Sequence, residues 1–340
     1  MDDLVRKPEL ILSMLPLRET MQPYNRSGTL IVADTHNYPR LRDLGQSLLV
    51  KDQEIEEIGR VRQEFSYERV LAVGGCTALD FGRACAVGKE VINFPTILSH
   101  KCLSNGESVI KRSGRYKKEK TIAPLQTIVS LPALLDGPPE TVHYWSAAGA
   151  GDLLALISAA LEYEWLFNDG SFAGVTARGI AQKRPEVFQA FKWLLDDFTA
   201  FDVDGLSRLA HYLHELSLEP DDDPDMLSAG SEHWLHYEMV YGQQYSKAAT
   251  AHGMLVSIGT LMTLRIFGEA TRDMTLYECM RRVHQKTGLP LRDEDLKRLG
   301  VSRAHIVEGI RTLRSQGLRC LYDEFFAKDD FSLLNRVFGV

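Results

Sequence analysis

What restricts this chain most is a change of texture near residue 145. Before it, short β-branched runs alternate with polar or helical connectors; after it, apolar residues recur at three- and four-residue spacing. Thr29-Leu-Ile-Val-Ala33, Val70-Leu-Ala-Val73, Val91-Ile-Asn-Phe94 and Thr127-Ile-Val-Ser130 read as strands. Between them, residues 38–50 read as a helix with Leu41, Leu44 and Leu48 on one stripe, and a second helix is expected from Thr77 to Val87. Strands separated by helices pair in parallel through crossovers, so residues 1–145 are expected to form an α/β domain. Residues 146–340 are expected to form an all-α domain, with helices near 152–166, 186–199, 205–217, 228–242, 248–267, 275–285 and 303–328. The proline-punctuated acidic run Glu219–Asp225 reads as a solvated loop, because nothing rigid would hold its carboxylates together.

Composition removes several function classes. The 340 residues carry 39 Lys+Arg against 46 Asp+Glu, a net charge of −7, which provides no general attraction for nucleic acid or an anionic membrane. The five cysteines, Cys76, Cys85, Cys102, Cys279 and Cys320, are odd in number and without C-x-x-C spacing, which fits a reducing, cytoplasmic compartment. The polar start carries no secretory signal, and the apolar stretch Leu153–Leu161 is shorter than the ~20 residues a bilayer requires.

Two local patterns carry chemistry. The strand Val70–Val73 runs into Gly74-Gly75 and then a helix start, where close backbone approach and free N–H groups suit a phosphate. An ordinary tight turn with Thr77 as helix cap would look the same. Pro95-Thr96-Ile-Leu-Ser99 places hydroxyls at the end of the next strand, the edge at which open α/β sheets bind ligands. Asp34, after the strand Leu30–Ala33, either accepts from a ribose, which favours NAD over NADP, or serves its own turn.

The helical half holds the second pattern. Asp152 in Gly149-Ala-Gly-Asp152 is a helix cap or a metal ligand. His233 and His236 sit three apart on one helical face, and His252 begins the next helix. One carboxylate with two imidazoles from neighbouring helices would suit Zn²⁺ or Fe²⁺ and leave a position for a substrate oxygen.

Taken in order, Asp34, Gly74-Gly75-x-Thr77-x-x-Asp80, Pro95-Thr96-x-x-Ser99, Gly149-x-Gly151-Asp152, Gly230-Ser-Glu-His233, His252-Gly253 and Gly259-Thr260 resemble the iron-containing alcohol dehydrogenase superfamily, which includes the dehydroquinate synthases. Ser99-His100 and Gly230-Ser-Glu-His233 look most like its glycerol-1-phosphate dehydrogenase branch. The resemblance implies an N-terminal NAD(P)-binding domain, a helical metal- and substrate-binding domain and a cleft between them. It puts Gly74, Gly75 and Thr77 on the cofactor pyrophosphate, with Asp80, Thr96 and Ser99 in the same site, and gives the metal to Asp152, His233 and His252. His236 would bind substrate or relay a proton. The implied partner is a small-molecule substrate, in a chain that could form a homo-oligomer.

Some positions depart from that pattern. Cys76 replaces a third glycine, Arg83 a common lysine, and Met254 a glutamate able to orient a ligand. Lys101 stands where polyol dehydrogenases of this family carry a substrate-binding aspartate, an inversion that favours a phosphate, carboxylate or other anionic substrate, or a different proton-transfer chemistry with Lys101 as a catalytic group. The leading expectation is therefore a metal-dependent, NAD(P)-linked dehydrogenase or carbonyl reductase of a small polyol or its phosphate, glycerol-1-phosphate-like by resemblance. A sugar-phosphate cyclase of the dehydroquinate synthase type and a catalytically reduced binding homologue are the alternatives.

Overall fold

The computed structural model describes residues 7–101, 103–218, 229–242, 251–315, 321–322 and 331–339. Two compact units emerge, Met1–Ser146 with Phe201–Glu219, and Ala147–Ala200 with Pro220–Val340.

The first unit is built on six parallel strands, β1 (Glu9–Ser13), β2 (Thr29–Ala33), β3 (Ser47–Leu49), β4 (Arg69–Gly74), β5 (Glu90–Pro95) and β8 (Gln126–Ser130), in the order β1-β8-β5-β4-β2-β3. Every residue of β2 is buried, as are all but the first of β4, β5 and β8, which is why these strands read as continuous apolar runs. Ile31, Ala33, Leu71, Val73, Ile92, Phe94 and Ile128 pack with Met21 and Leu41 into one core. The register sets Ala33 beside Val73 and Gly74 beside Pro95, so the carboxyl ends of β2, β4 and β5 form one edge.

Local periodicity misled at three places here. Residues 38–50 are not one helix: a turn at Tyr38–Leu41 gives way, past Gly45, to strand β3, which pairs with β2 from Ile31 opposite Ser47. The polar start contains β1, which is held by pairing with β8 across the whole unit, Glu9 opposite Gln126. Strands β6 (Glu107–Arg112) and β7 (Arg115–Lys120) form a polar hairpin turned at Ser113-Gly114, both with positive φ as such two-residue turns require. That hairpin gathers Lys111, Arg112, Arg115, Lys117, Lys118 and Lys120, a cationic block that the chain-wide charge conceals. Lys111 pairs with Asp52 and Glu54, Arg112 with Glu119 and Lys118 with Glu107.

Among the described residues the second unit is helical throughout. Its helices include Ala177–Lys183, Pro185–Lys192 with a π turn to Asp197, Ser231–Tyr237 with a π turn to Gly242, His252–Thr271, Thr275–Thr287, Asp293–Arg298, Arg303–Ser315 and Ser332–Phe338. The helix expected near 205–217 is present as Val203–Ser217 and packs with the first unit. The acidic run Glu219–Asp225, Cys102, Cys320 and most of 316–328 lie outside the described residues. Cys76, Cys85 and Cys279 are free thiols.

The largest departure is the helix Pro139–Phe167, whose 29 residues begin well before the expected start at 152. It and His252–Thr271 are long and apolar enough to cross a bilayer by length and composition, but 83% of each apolar window is buried inside the protein. Apolarity on all sides is what a central core helix requires.

Candidate functional site

At the strand-end edge of the first unit, Gly74 has φ +137 and ends β4. A Cβ there would overlap the Asp34 carboxylate and reach 2.6 Å from its Cγ, so only glycine admits both. Asp34 accepts the Gly75 N–H at 3.0 Å with one oxygen, and the His36 and Asn37 N–H groups at 3.1 and 2.9 Å with the other. Asn37 Nδ2 donates to the same Asp34 oxygen and to Thr96 Oγ1, both at 2.9 Å. Asp34 is thus the hub of its own turn and of the glycine turn beside it.

Gly75, not Thr77, is the cap of the helix Cys76–Cys85, and no side chain caps that first turn. Thr77 lies inside it. An uncapped first turn behind a glycine pair at this edge is a fit for a phosphate group. Cys76 Sγ lies 3.7 Å from Ser99 Oγ, and Ser99 and Thr96 are both buried at the same edge. Asp80 is buried against the fully buried Arg83, whose Nε donates to Ser108 Oγ at 3.2 Å. Asp80 and Arg83 thus form a hydrogen-bonded ion pair one turn apart on the Cys76–Cys85 helix. Lys101 is half-buried between β5 and β6.

In the second unit, Asp152 sits well inside the helix Pro139–Phe167, which removes the cap reading. Gly149-Ala-Gly151 does not break that helix; its small residues let the helix His252–Thr271 approach. A Cβ on Gly253 would overlap the Ala148 carbonyl, and one on Gly151 would overlap the Gly253 carbonyl and reach 2.9 Å from Leu289. That closeness brings His252 Nε2 to 3.1 Å from Asp152 Oδ1. His233, on the Ser231–Tyr237 helix, brings its Nε2 to 3.4 Å from the same oxygen.

The three donor atoms lie within 4.8 Å of one another. Two ligands about 2.1 Å from a tetrahedral Zn²⁺ would be about 3.4 Å apart, so the two measured separations fit such an ion. Asp152 and His233 are buried and His252 is partly exposed, which leaves one open side. Burial alone would raise the Asp152 pKa, but the His252 and His233 imidazoles hold it well below the usual carboxylate range. Burial alone would lower that of His233, but Asp152 and Glu232 push it up to about 9. Buried carboxylates thus draw positive charge to this point, which is the electrostatic condition for a cation site.

His236 is buried beside the trio, its Nε2 3.4 Å from His252 Nδ1 and its ring edge-on to that of His252. Sequence reasoning missed Glu232 and Glu162. Glu232 Oε1 accepts the Gly230 N–H at 2.8 Å and His233 Nδ1–H at 2.9 Å. Glu162 accepts from the backbone and hydroxyl of Ser231 and from the Leu321 N–H. Burial, and then the charge of Glu232, push the Glu162 carboxyl up to about 7. The acidic residue inside Gly230-Ser-Glu-His233 was a signal for Glu232; Glu162, far away along the chain, offered none.

The parallel strands followed by a helical unit are the architecture of iron-containing alcohol dehydrogenases and glycerol dehydrogenases. A probable glycerol dehydrogenase from Sinorhizobium meliloti 1021 superposes with a TM-score of 0.64 at 19% identity, covering 89% of this chain and 88% of that one. The sequence is 23% identical over 286 residues to a glycerol-1-phosphate dehydrogenase (NAD(P)+) of Sulfurisphaera tokodaii, spanning 81% of this chain and 76% of that protein. It is 25% identical over 282 residues to the enzyme of that name from Sulfolobus acidocaldarius, spanning 80% and 72% respectively. No protein-family model matches the chain. Superfamily resemblance and branch are those expected from the motifs.

Proposed function

We propose that this chain is a divalent-metal-dependent, NAD(P)-linked dehydrogenase that interconverts a small phosphorylated polyol, of the glycerol-1-phosphate kind, and its carbonyl form. The observation that carries the reading is the convergence of His233 and His252 on one buried oxygen of Asp152. Similarity to glycerol-1-phosphate dehydrogenases over four-fifths of the chain supports the substrate class. When bound, Zn²⁺ or Fe²⁺ supplies Lewis acidity toward the substrate alcohol, and NAD(P)⁺ supplies the hydride acceptor.

The residues divide the work. Asp152, His233 and His252 would hold the ion. Gly74, Gly75 and Thr77 would face the cofactor pyrophosphate through the uncapped first turn of the Cys76–Cys85 helix, with Thr96 and Ser99 beside them. Asp34 fixes the shape of that turn through the Gly75 N–H. His236, in contact with His252, is the group that would take up the proton lost by the alcohol. Lys101 would favour an anionic substrate over a bare polyol. The N-terminal unit would serve the cofactor and the helical unit the metal and substrate, in a cytoplasmic protein whose partners are small molecules.

The test is an assay at 340 nm on Zn²⁺- or Fe²⁺-loaded protein with dihydroxyacetone phosphate and NADH or NADPH, alongside His252→Ala. Metal-dependent oxidation of the nicotinamide, lost in His252→Ala while NAD⁺ affinity is kept, is expected. Release of inorganic phosphate without net change at 340 nm would instead identify a cyclase.

A further inference from the structure

Glu232 is one residue before His233, on the short helix that brings His233 to Asp152. Its side chain is fully buried, and its Oε2 has no hydrogen-bond partner among the described residues. Its Oε1 is 2.9 Å from His233 Nδ1, the ring nitrogen remote from Asp152, whereas His233 Nε2 faces Asp152 at 3.4 Å. A carboxylate can only accept, so Nδ1 carries the proton in this contact. We infer that Glu232 is the positioning residue of the metal centre, holding the His233 ring in the one orientation and tautomer that aim the Nε2 lone pair at the ion.

This inference rests on the metal-centre reading given above. The wider packing supports it. Gly259 has its would-be Cβ 2.5 Å from Glu232 Cβ and 2.6 Å from its Cα, so the Ser231–Tyr237 helix is seated directly on the His252–Thr271 helix at Glu232. Tyr322 anchors the same glycine, its hydroxyl donating to the Gly259 carbonyl at 3.0 Å. The carboxylate therefore has little freedom to leave His233. The Met254 side chain, two residues after His252, is buried and apolar, and the carboxylate against His233 Nδ1 comes from the Ser231–Tyr237 helix itself.

Glu232 also accepts the Gly230 N–H at the start of its helix, a purely local service to the backbone. A glutamine would perform that service equally well. What a glutamine lacks is the full negative charge that makes the attached imidazole a stronger donor to a cation.

The experiment is a Co²⁺ titration of metal-free full-length protein, read by visible d–d absorption, for wild type, Glu232→Gln and His252→Ala. Glu232→Gln is expected to keep the wild-type circular dichroism and NAD⁺ affinity but to weaken Co²⁺ binding by roughly 10- to 100-fold. His252→Ala is expected to show no tetrahedral Co²⁺ bands. A Glu232→Gln affinity within about threefold of wild type would overturn the inference while leaving the metal centre standing. Absence of Co²⁺ binding by wild type would overturn both. If Glu232→Gln does not fold, ¹⁵N chemical shifts of the Zn²⁺-loaded wild type decide: a protonated Nδ1 and metal-bound Nε2 on His233 support it, and the reverse overturns it.

Discussion

Gly253 lies against Ala148 with no room for a side chain: a Cβ at 253 would come within 2.6 Å of the Ala148 carbonyl carbon and 2.9 Å of the Asp152 amide nitrogen. Two core helices meet there backbone to backbone, and one turn after Ala148 and one residue before Gly253 lies the Asp152–His252 pair at 3.1 Å. A donor cluster spread over three helices depends on that spacing, since an error of 1 Å is large against a bond of about 2.1 Å.

Gly253→Ala is accordingly expected to push the helices apart. Overpacking of this kind costs about 1–3 kcal/mol. The larger effect should be on the metal: saturating Zn²⁺, which at 100 times its Kd would stabilise the wild type by about 2.7 kcal/mol, should raise the variant's Tm little or not at all. Differential scanning fluorimetry with and without Zn²⁺ checks this. An undiminished Zn²⁺-induced shift would show that the helix contact does not set the site.

Gly74→Ala tests the other pattern. The backbone at 74 has φ +137, and the new methyl would meet the Asp34 carboxylate. A strained residue costs about 1–3 kcal/mol, and relief by moving Asp34 would release the Gly75 N–H. NAD⁺ affinity, read by nicotinamide fluorescence or calorimetry, should fall roughly tenfold or more, with Co²⁺ binding unchanged. Equal loss of both would mean a global defect.

Glu162 should make stability fall as pH rises. Its folded pKa of about 7 lies above its ordinary 4.5, so the folded state holds a proton that the unfolded state has lost. The stabilisation is complete below about pH 4.5 and is lost by about pH 7, a swing of up to about 3 kcal/mol. Urea denaturation of metal-free Glu162→Gln at pH 5 and 8 should show this component gone. A pH dependence identical to that of wild type would contradict the assignment.

His284 acts with the opposite sign. Its Nδ1–H donates to the Pro290 carbonyl at 2.8 Å and burial lowers its pKa to about 4. Between pH 4 and 6.5 the unfolded state binds the proton and the folded state does not, so stability is lost as pH falls through that window. His284→Asn, which keeps a donor for Pro290, should be less sensitive to acid. Comparison of urea midpoints at pH 7 and 5 measures the difference, and an acid sensitivity equal to that of wild type would count against it.

Much of the architecture was readable because strands β2, β4, β5 and β8 are interior, and a strand covered on both faces has to be an apolar run. Strand β1 and the hairpin β6–β7 were not: β1 is a five-residue edge strand with none of its residues fully buried, and the ribbon is built largely of polar residues that leave no apolar run. Leu48 illustrates the same limit. Its spacing from Leu41 and Leu44 suits a helix, but a pairing with Val32 decides for a strand. At the site, Asp152, His233 and His252 were legible as residue types, while the ion pair of Asp80 with the buried Arg83 was not, since no local spacing shows that both side chains are covered.

Residue chemistry and local spacing alone sufficed for the two textures, the glycine turn after a strand and a carboxylate with two imidazoles suited to a cation. These depend on interactions among near neighbours, which any sequence window contains. Tertiary structure decided that Asp152 is a core residue of a 29-residue helix, that glycines at 151 and 253 set its distance from His252, and that Gly259 seats Glu232 against the next helix. Those facts are distances between segments up to a hundred residues apart, fixed by backbone contact and burial, and no local pattern encodes them.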